Sequence, residues 1–173
     1  RVRQALSLTL DFEWMNKALF YGAYKRTSSY FQNTEYAASG YPDADQLALL
    51  APYKTQLPAA LFTEKYAPPR SSGSGYDRAG LLKALALLKQ AGWSIKNQRL
   101  TNDKTGQPFN IELLLRGGSS NEWALPFQHS LARLGITLTL RQVDTSQYLR
   151  RLREGDYDMI GSVYLAMPTP STN

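Results

Sequence analysis

Few residues in this chain could carry covalent chemistry. His129 is the only histidine and there is no cysteine. A nucleophilic triad needs its base beside an activated hydroxyl and an orienting acid. His129 lies beside Gln128 in a segment of helical spacing, where nothing local supplies them, so it reads as a surface or partly buried histidine. Zinc hydrolysis would need several His or carboxylate ligands at useful spacing, and these are missing. The lack of cysteine removes thiolate chemistry and disulfides without locating the protein. Asp156 and Asp158 stand two apart on a strand-like run. Two carboxylates without further oxygen ligands make a poor metal site, so Asp158 is expected to end or support a strand. Gly117-Gly118-Ser119-Ser120 falls between an apolar run and a helix start, where backbone N–H groups can hold an anion. No Lys-Ser/Thr pair follows, which excludes a P-loop, and the plain alternative is a flexible loop. This loop and the end of the last strand near Tyr164 are expected at one strand-end edge, where open α/β sheets bind ligands. The residues therefore point to a ligand-binding α/β domain that is not an enzyme, with no cofactor and no metal.

The formal charge is +6, from 20 basic and 14 acidic residues. Only Arg150, Arg151 and Arg153 cluster, on the polar face of a helical segment, so nucleic acid is not an expected partner. At 173 residues, 43% hydrophobic and 20% charged, the chain can bury a sizeable core. No apolar run approaches the roughly 20 residues that span a bilayer. The opening RVRQALSLTLDFEW is amphipathic and carries acids, unlike a signal peptide. With Arg1 in place of a Met, the chain reads as a piece of a longer protein.

The elements that must position this edge lie between Phe109 and Val163. FNIELLL (109–115) is an apolar run, followed by a segment with Ala124, Phe127, Leu131 and Leu134 at helical spacing. Gly135 stops it, and ITLTLRQV (136–143) alternates apolar and polar residues. DTSQYLRRLREG (144–155) reads as a second helix with Tyr148, Leu149 and Leu152 on one side, and DYDMIGSVY (156–164) as a third strand. Strand-like runs alternating with helical spacing mark βαβ units. The expected fold is α/β, a mixed, mainly parallel sheet flanked by helices.

Upstream, Val2, Ala5, Leu6, Leu10, Trp14 and Ala18 fall near one face and predict a single helix to about Leu19. Residues 20–45 lack periodicity but hold Tyr21, Tyr24, Tyr30, Tyr36 and Tyr41. Such aromatics either pack or form a sticky surface, and packing is the favoured reading. Asp43 is placed to cap a short helix, with a second around 58–65. YAPPRSSGSGY (66–76) reads as a flexible surface connection. Asp77 is expected to cap the helix DRAGLLKALALLKQAGW, with Gly92 as its left-handed end. SIKNQRLTNDKTGQPFNIELLL suggests a hairpin turning at Asn102, Asp103 and Gly106.

Five stretches in order, VRQALSLTLDFEWMN, FYGAY, YDRAGLLKALALLKQAGW, TGQPFNIELLL and HSLARLGITLTLRQVDTSQYLRRLREGDYDM, carry a resemblance. Together they resemble the second lobe of the periplasmic oligopeptide- and dipeptide-binding proteins, the family 5 solute receptors of ABC importers. DFEWMNKALFYGAYKRTSSYFQNTEYAASG is most similar to the Yej-type subgroup. The resemblance covers nearly the whole chain, and no single motif in it is strict.

The resemblance implies a periplasmic-binding-protein-like lobe, residues 1–173, inserted into a first lobe that is missing here. It implies a periplasmic protein that closes on a peptide, with peptide antibiotics within the ligand range of the Yej-type subgroup, and is then recognised by an inner-membrane ABC permease. Tyr148 matches an aromatic that faces the peptide in relatives, and Tyr164 the aromatic after the YDM strand. Relatives commonly place an aspartate for the peptide's ammonium where this chain has Met167. Trp123, Arg26, Tyr24 and Tyr30 join the candidates by position and chemistry. The rival readings are a sensing lobe of a signalling receptor and a non-catalytic domain of an α/β enzyme.

Overall fold

The computed structural model describes residues 1–119 and 121–162. The elements run α1 (Val2–Leu8), α2 (Phe12–Ala18), α3 (Ala44–Leu50), α4 (Ala60–Thr63), α5 (Arg78–Gln90), β1 (Trp93–Lys96), β2 (Arg99–Asn102), β3 (Asn110–Arg116), α6 (Ala124–Ala132), β4 (Thr137–Val143), α7 (Thr145–Glu154) and β5 (Met159–Ile160). Among the described residues they divide into two units, one from residues 1–24 and 69–162, the other from residues 25–68.

The first unit holds the expected parallel layer, in the order β4-β3-β5. β3 pairs in parallel with β4 from Asn110↔Thr137 to Arg116↔Val143, and with β5 at Leu113↔Met159 and Leu114↔Ile160. Successive strand residues face opposite sides of a sheet, and β3 is central enough to bury both. Leu113 and Leu115 join Leu131, Leu134, Ile136 and Leu138 in one core, with Ala5, Leu81, Ala84 and Leu88 of the amino-terminal helices. Leu114 faces the other way, onto Val143, Tyr148, Leu152 and Ile160. Each buried leucine stabilises by about 2 kcal/mol, and a one-residue slip would exchange the two faces. That fixes the register.

Helix caps match the cues in part. Asp144 accepts from the Gln147 N–H and starts α7. Asp43 and Gln46 form a reciprocal capping box on α3. Asp77 occupies the N-cap of α5 but makes no capping bond.

Three expectations are corrected. Residues 1–19 form two helices, not one. Thr9 turns its hydroxyl back to the Leu6 carbonyl (2.7 Å), and Asp11 accepts from the Trp14 N–H (3.1 Å), starting a new helix. Side-chain bonds of this kind compete with a continuous helical ladder. The hairpin is also shorter than expected. β1 and β2 pair antiparallel around Asn97 and Gln98, both at positive φ. Asn102–Gly106 forms a second turn, where the Asn102 side chain accepts from the Lys104 and Thr105 N–H groups. Beyond it β3 joins the other sheet, leaving only a bridge at Thr101↔Pro108.

The third correction concerns the tyrosines, which do not pack inside. Tyr21 is 92% exposed and Tyr30 83%, and Tyr24, Tyr36 and Tyr41 are exposed as well. None of residues 25–68 is buried. A unit this small has too little apolar surface for a core of its own. Its aromatics make edge contacts instead, Tyr30 on Phe31 (4.9 Å) and Phe31 on Tyr36 (6.3 Å).

In the first unit, part of the proline-, glycine- and serine-rich stretch is tied to α2. The Ser71 N–H donates to Glu13 (2.9 Å), and the Gly75 N–H to Asp11 (2.9 Å). The Ser71 hydroxyl lies between the carboxylates of Asp11 and Glu13. Asp11 is buried, and these donors satisfy it.

Candidate functional site

In a parallel sheet all strands end on the same side, and the crossover loops gather there. Here β3 ends at Arg116, β4 at Val143 and β5 at Ile160. The Gly117 N–H donates to the Val143 carbonyl (2.7 Å), holding the first loop against the neighbouring strand. The Asn121 side chain donates to the Arg116 carbonyl (3.2 Å) and narrows the turn into α6. Between this loop, the first turns of α7 and the end of β5 lies an open groove of about 550 Å³.

Trp123, Leu149, Leu152 and Ile160 supply its apolar walls, and Arg116, Ser119 and Asn121 a polar rim. Among the described residues of the lining, Arg116 is the single ionic side chain. Its Nε–H donates to the Ser119 hydroxyl (3.0 Å). That bond orients the planar guanidinium, whose fork suits a carboxylate or phosphate. Apolar walls with few polar groups are typical of ligand sites.

Behind the groove a second arginine is committed to the structure. Arg151 donates to Glu112 (2.7 Å) and Asp156 (2.8 Å), and its side chain is 15% exposed. The bonds to Glu112 and Asp156 raise its pKa above the ordinary arginine value. Asp158 accepts from the Glu112 N–H (2.9 Å), so it supports the sheet, as expected of it. Among the described residues no group of His, Cys, Asp and Glu is placed to hold a metal.

The groove brings two of the candidate residues together, Trp123 and Tyr148. Tyr148 is only 6% exposed, and its hydroxyl already donates to the Gly161 carbonyl (2.8 Å). It forms the floor of the groove and has little free surface to offer. Tyr24 is exposed elsewhere in the first unit; the Asn16 side chain donates to its carbonyl (2.7 Å) and accepts from its N–H (3.0 Å). Arg26 and Tyr30 belong to the second unit. Tyr164 and Met167 lie outside the described residues. Sequence reasoning passed over Arg116, although an arginine closing an apolar run just before Gly117-Gly118 is a readable signal.

The family model "Bacterial extracellular solute-binding proteins, family 5 Middle" matches residues 1–173. The chain belongs to this family. The "Uncharacterized protein YejA" of Escherichia coli (strain K12) is 59% identical over all of this chain and 29% of its own length. The "Probable peptide-binding protein YejA" of Agrobacterium fabrum is 34% identical over 98% of this chain and 28% of its own. Among solved structures, NikA from Brucella suis, in complex with Fe(III)-EDTA, superposes with a TM-score of 0.59. That match is 27% identical and covers 92% of this chain and 26% of that one. The family 5 chain thus spans under a third of the length of the curated relatives it matches. The expected α/β solute-binding-protein lobe is borne out by the parallel sheet and this superposition. The family is one of solute-binding proteins and not of enzymes.

Proposed function

We propose that the chain is the second, inserted lobe of a two-lobed periplasmic receptor that captures peptides and hands them to an ABC importer. The observation behind this reading is the groove at the carboxyl-terminal edge of the parallel sheet, apolar-walled and carrying one cation. A ligand that touches both lobes only when they are closed shifts the population toward closure. The closed form is what an inner-membrane permease would recognise. The receptor binds and releases its ligand without cleaving it.

A peptide suits this wall. Trp123, Leu149 and Ile160 can take a side chain, and Arg116 can take a carboxylate. The sign of the charge agrees with Met167, since the described residues of the groove include no acid for an ammonium group. The amino terminus is then held elsewhere, on the first lobe. Tyr164 and Met167 stay in the cleft through the resemblance, and Trp123 and Tyr148 through the groove. The relative from A. fabrum is named as peptide-binding, which supports the ligand class.

Calorimetric titration tests this on two proteins, the full-length receptor and the 173-residue chain. Short peptides are expected to bind the full-length protein stoichiometrically, without hydrolysis. The isolated lobe has only half a cleft and should bind at least about a hundredfold more weakly, a loss of roughly 2.7 kcal/mol or more. Equal affinity in both would overturn the two-lobed reading, and peptide turnover would overturn the receptor.

A further inference from the structure

Gly161 stands at the end of β5, in the groove, between two aromatic side chains. A methyl group on its Cα would lie 2.9 Å from Cζ2 of the Trp123 indole and 3.7 Å from Cη2. The same methyl would meet Leu115 at an ordinary 3.6 Å. Carbon atoms do not rest at 2.9 Å, so something must move.

The backbone is the less free of the two. The Gly161 carbonyl accepts from the buried Tyr148 hydroxyl (2.8 Å), and its N–H donates to the Leu114 carbonyl (3.4 Å). Tyr148 and Leu114 both belong to the core on the face of the sheet opposite Leu115, so the strand is held from the side away from the methyl. Trp123, in contrast, meets Gly161 with the far edge of its ring and is only partly buried. Added bulk at position 161 therefore displaces the indole and leaves the strand in place.

We propose that Gly161 is a specificity-determining residue. Its missing side chain seats Trp123 against the strand end and keeps open the space that a large ligand side chain occupies. The lining around that space is Trp123, Leu149, Leu152 and Ile160. The ligand residue it takes is accordingly aromatic or a large aliphatic, with an anionic group near Arg116. This rests on the peptide-receptor reading given above.

The test uses the full-length receptor and two matched sets of short peptides, one containing Phe and Leu, the other Gly and Ala at the same positions. Gly161→Ala is expected to weaken binding of the Phe/Leu set about tenfold, the scale of one badly placed methyl in an apolar pocket. Binding of the Gly/Ala set should stay within about twofold. Fluorotryptophan NMR should show the Trp123 resonance, assigned by Trp123→Phe, shifted in the variant before any peptide is added. Equal loss in both sets, no loss in either, or an unmoved resonance overturns the proposal. A variant that no longer folds also overturns it, because the ring and not the strand was to give way. A wild-type receptor that binds neither set overturns the peptide reading, and this inference with it, before any substitution is made.

Discussion

Gly135→Ala is expected to lower the melting temperature of the chain by about 10 °C. Gly135 ends the turn between α6 and β4 at φ +75°. An alanine there is strained by about 1–3 kcal/mol before any contact is counted. Its methyl would also lie 2.6 Å from the Leu100 nitrogen and 2.8 Å from the Gln98 carbonyl oxygen. Both are backbone atoms of the hairpin, and the Leu100 N–H donates to the Gly135 carbonyl (2.8 Å). Neither can move without opening that bond, and overpacking adds about 1–3 kcal/mol. Gly92→Ala separates the two causes. Gly92 has a similar φ of +83° but nothing within 4 Å of its would-be methyl. Thermal unfolding by circular dichroism should show Gly92→Ala losing only a few degrees. Equal shifts in the two variants would show that strain alone acts at Gly135.

The second large effect is on binding. Arg116→Ala in the full-length receptor should weaken peptides with a free carboxylate about 10- to 100-fold, the range for a hydrogen bond to a charged group. An exposed ion pair would be worth far less, and Arg116 is exposed in this lobe. The larger figure follows from the proposed closure, which would cover the groove and remove water from the pair. Amidated peptides should lose little by the same substitution. Calorimetry with each peptide as acid and amide measures the difference directly. An equal loss for acids and amides would show that Arg116 acts through packing or loop structure.

The parallel layer was readable because its patterning is redundant. β3 is apolar on both faces, α6 carries its apolar residues at helical spacing, and Asp144 caps α7 through its own side chain. The break between α1 and α2 was not, since the apolar face continues through Leu10 to Trp14 as if unbroken. What divides it is the polar pair Thr9 and Asp11, whose side-chain bonds are chosen locally. The β1–β2 turn was hidden because Asn97 and Gln98 adopt positive φ without a glycine.

The candidate site was legible as an edge but only partly as a set of residues. Gly117-Gly118 after an apolar run pointed to the loop, and Trp123 and Tyr148 do meet in the groove. The buried Tyr148 hydroxyl finds its partner in the Gly161 carbonyl thirteen positions away, which no local pattern encodes. Tyr24 and Arg26 were chosen by type, and type alone does not say which surface a residue joins. The exposed tyrosines of residues 25–68 likewise depend on how little apolar partner surface that stretch holds.

The central claim is that the groove between Arg116 and Gly161 is a ligand-contacting wall. Photo-cross-linking tests it most directly. Leu149 lines the groove from α7 and is 40% exposed, so a photoreactive residue there should be tolerated. In the full-length receptor saturated with peptide, irradiation should attach the peptide covalently at position 149, and excess unlabelled peptide should abolish the product. A receptor that binds peptide with unchanged affinity but yields no cross-link at 149 would contradict the account.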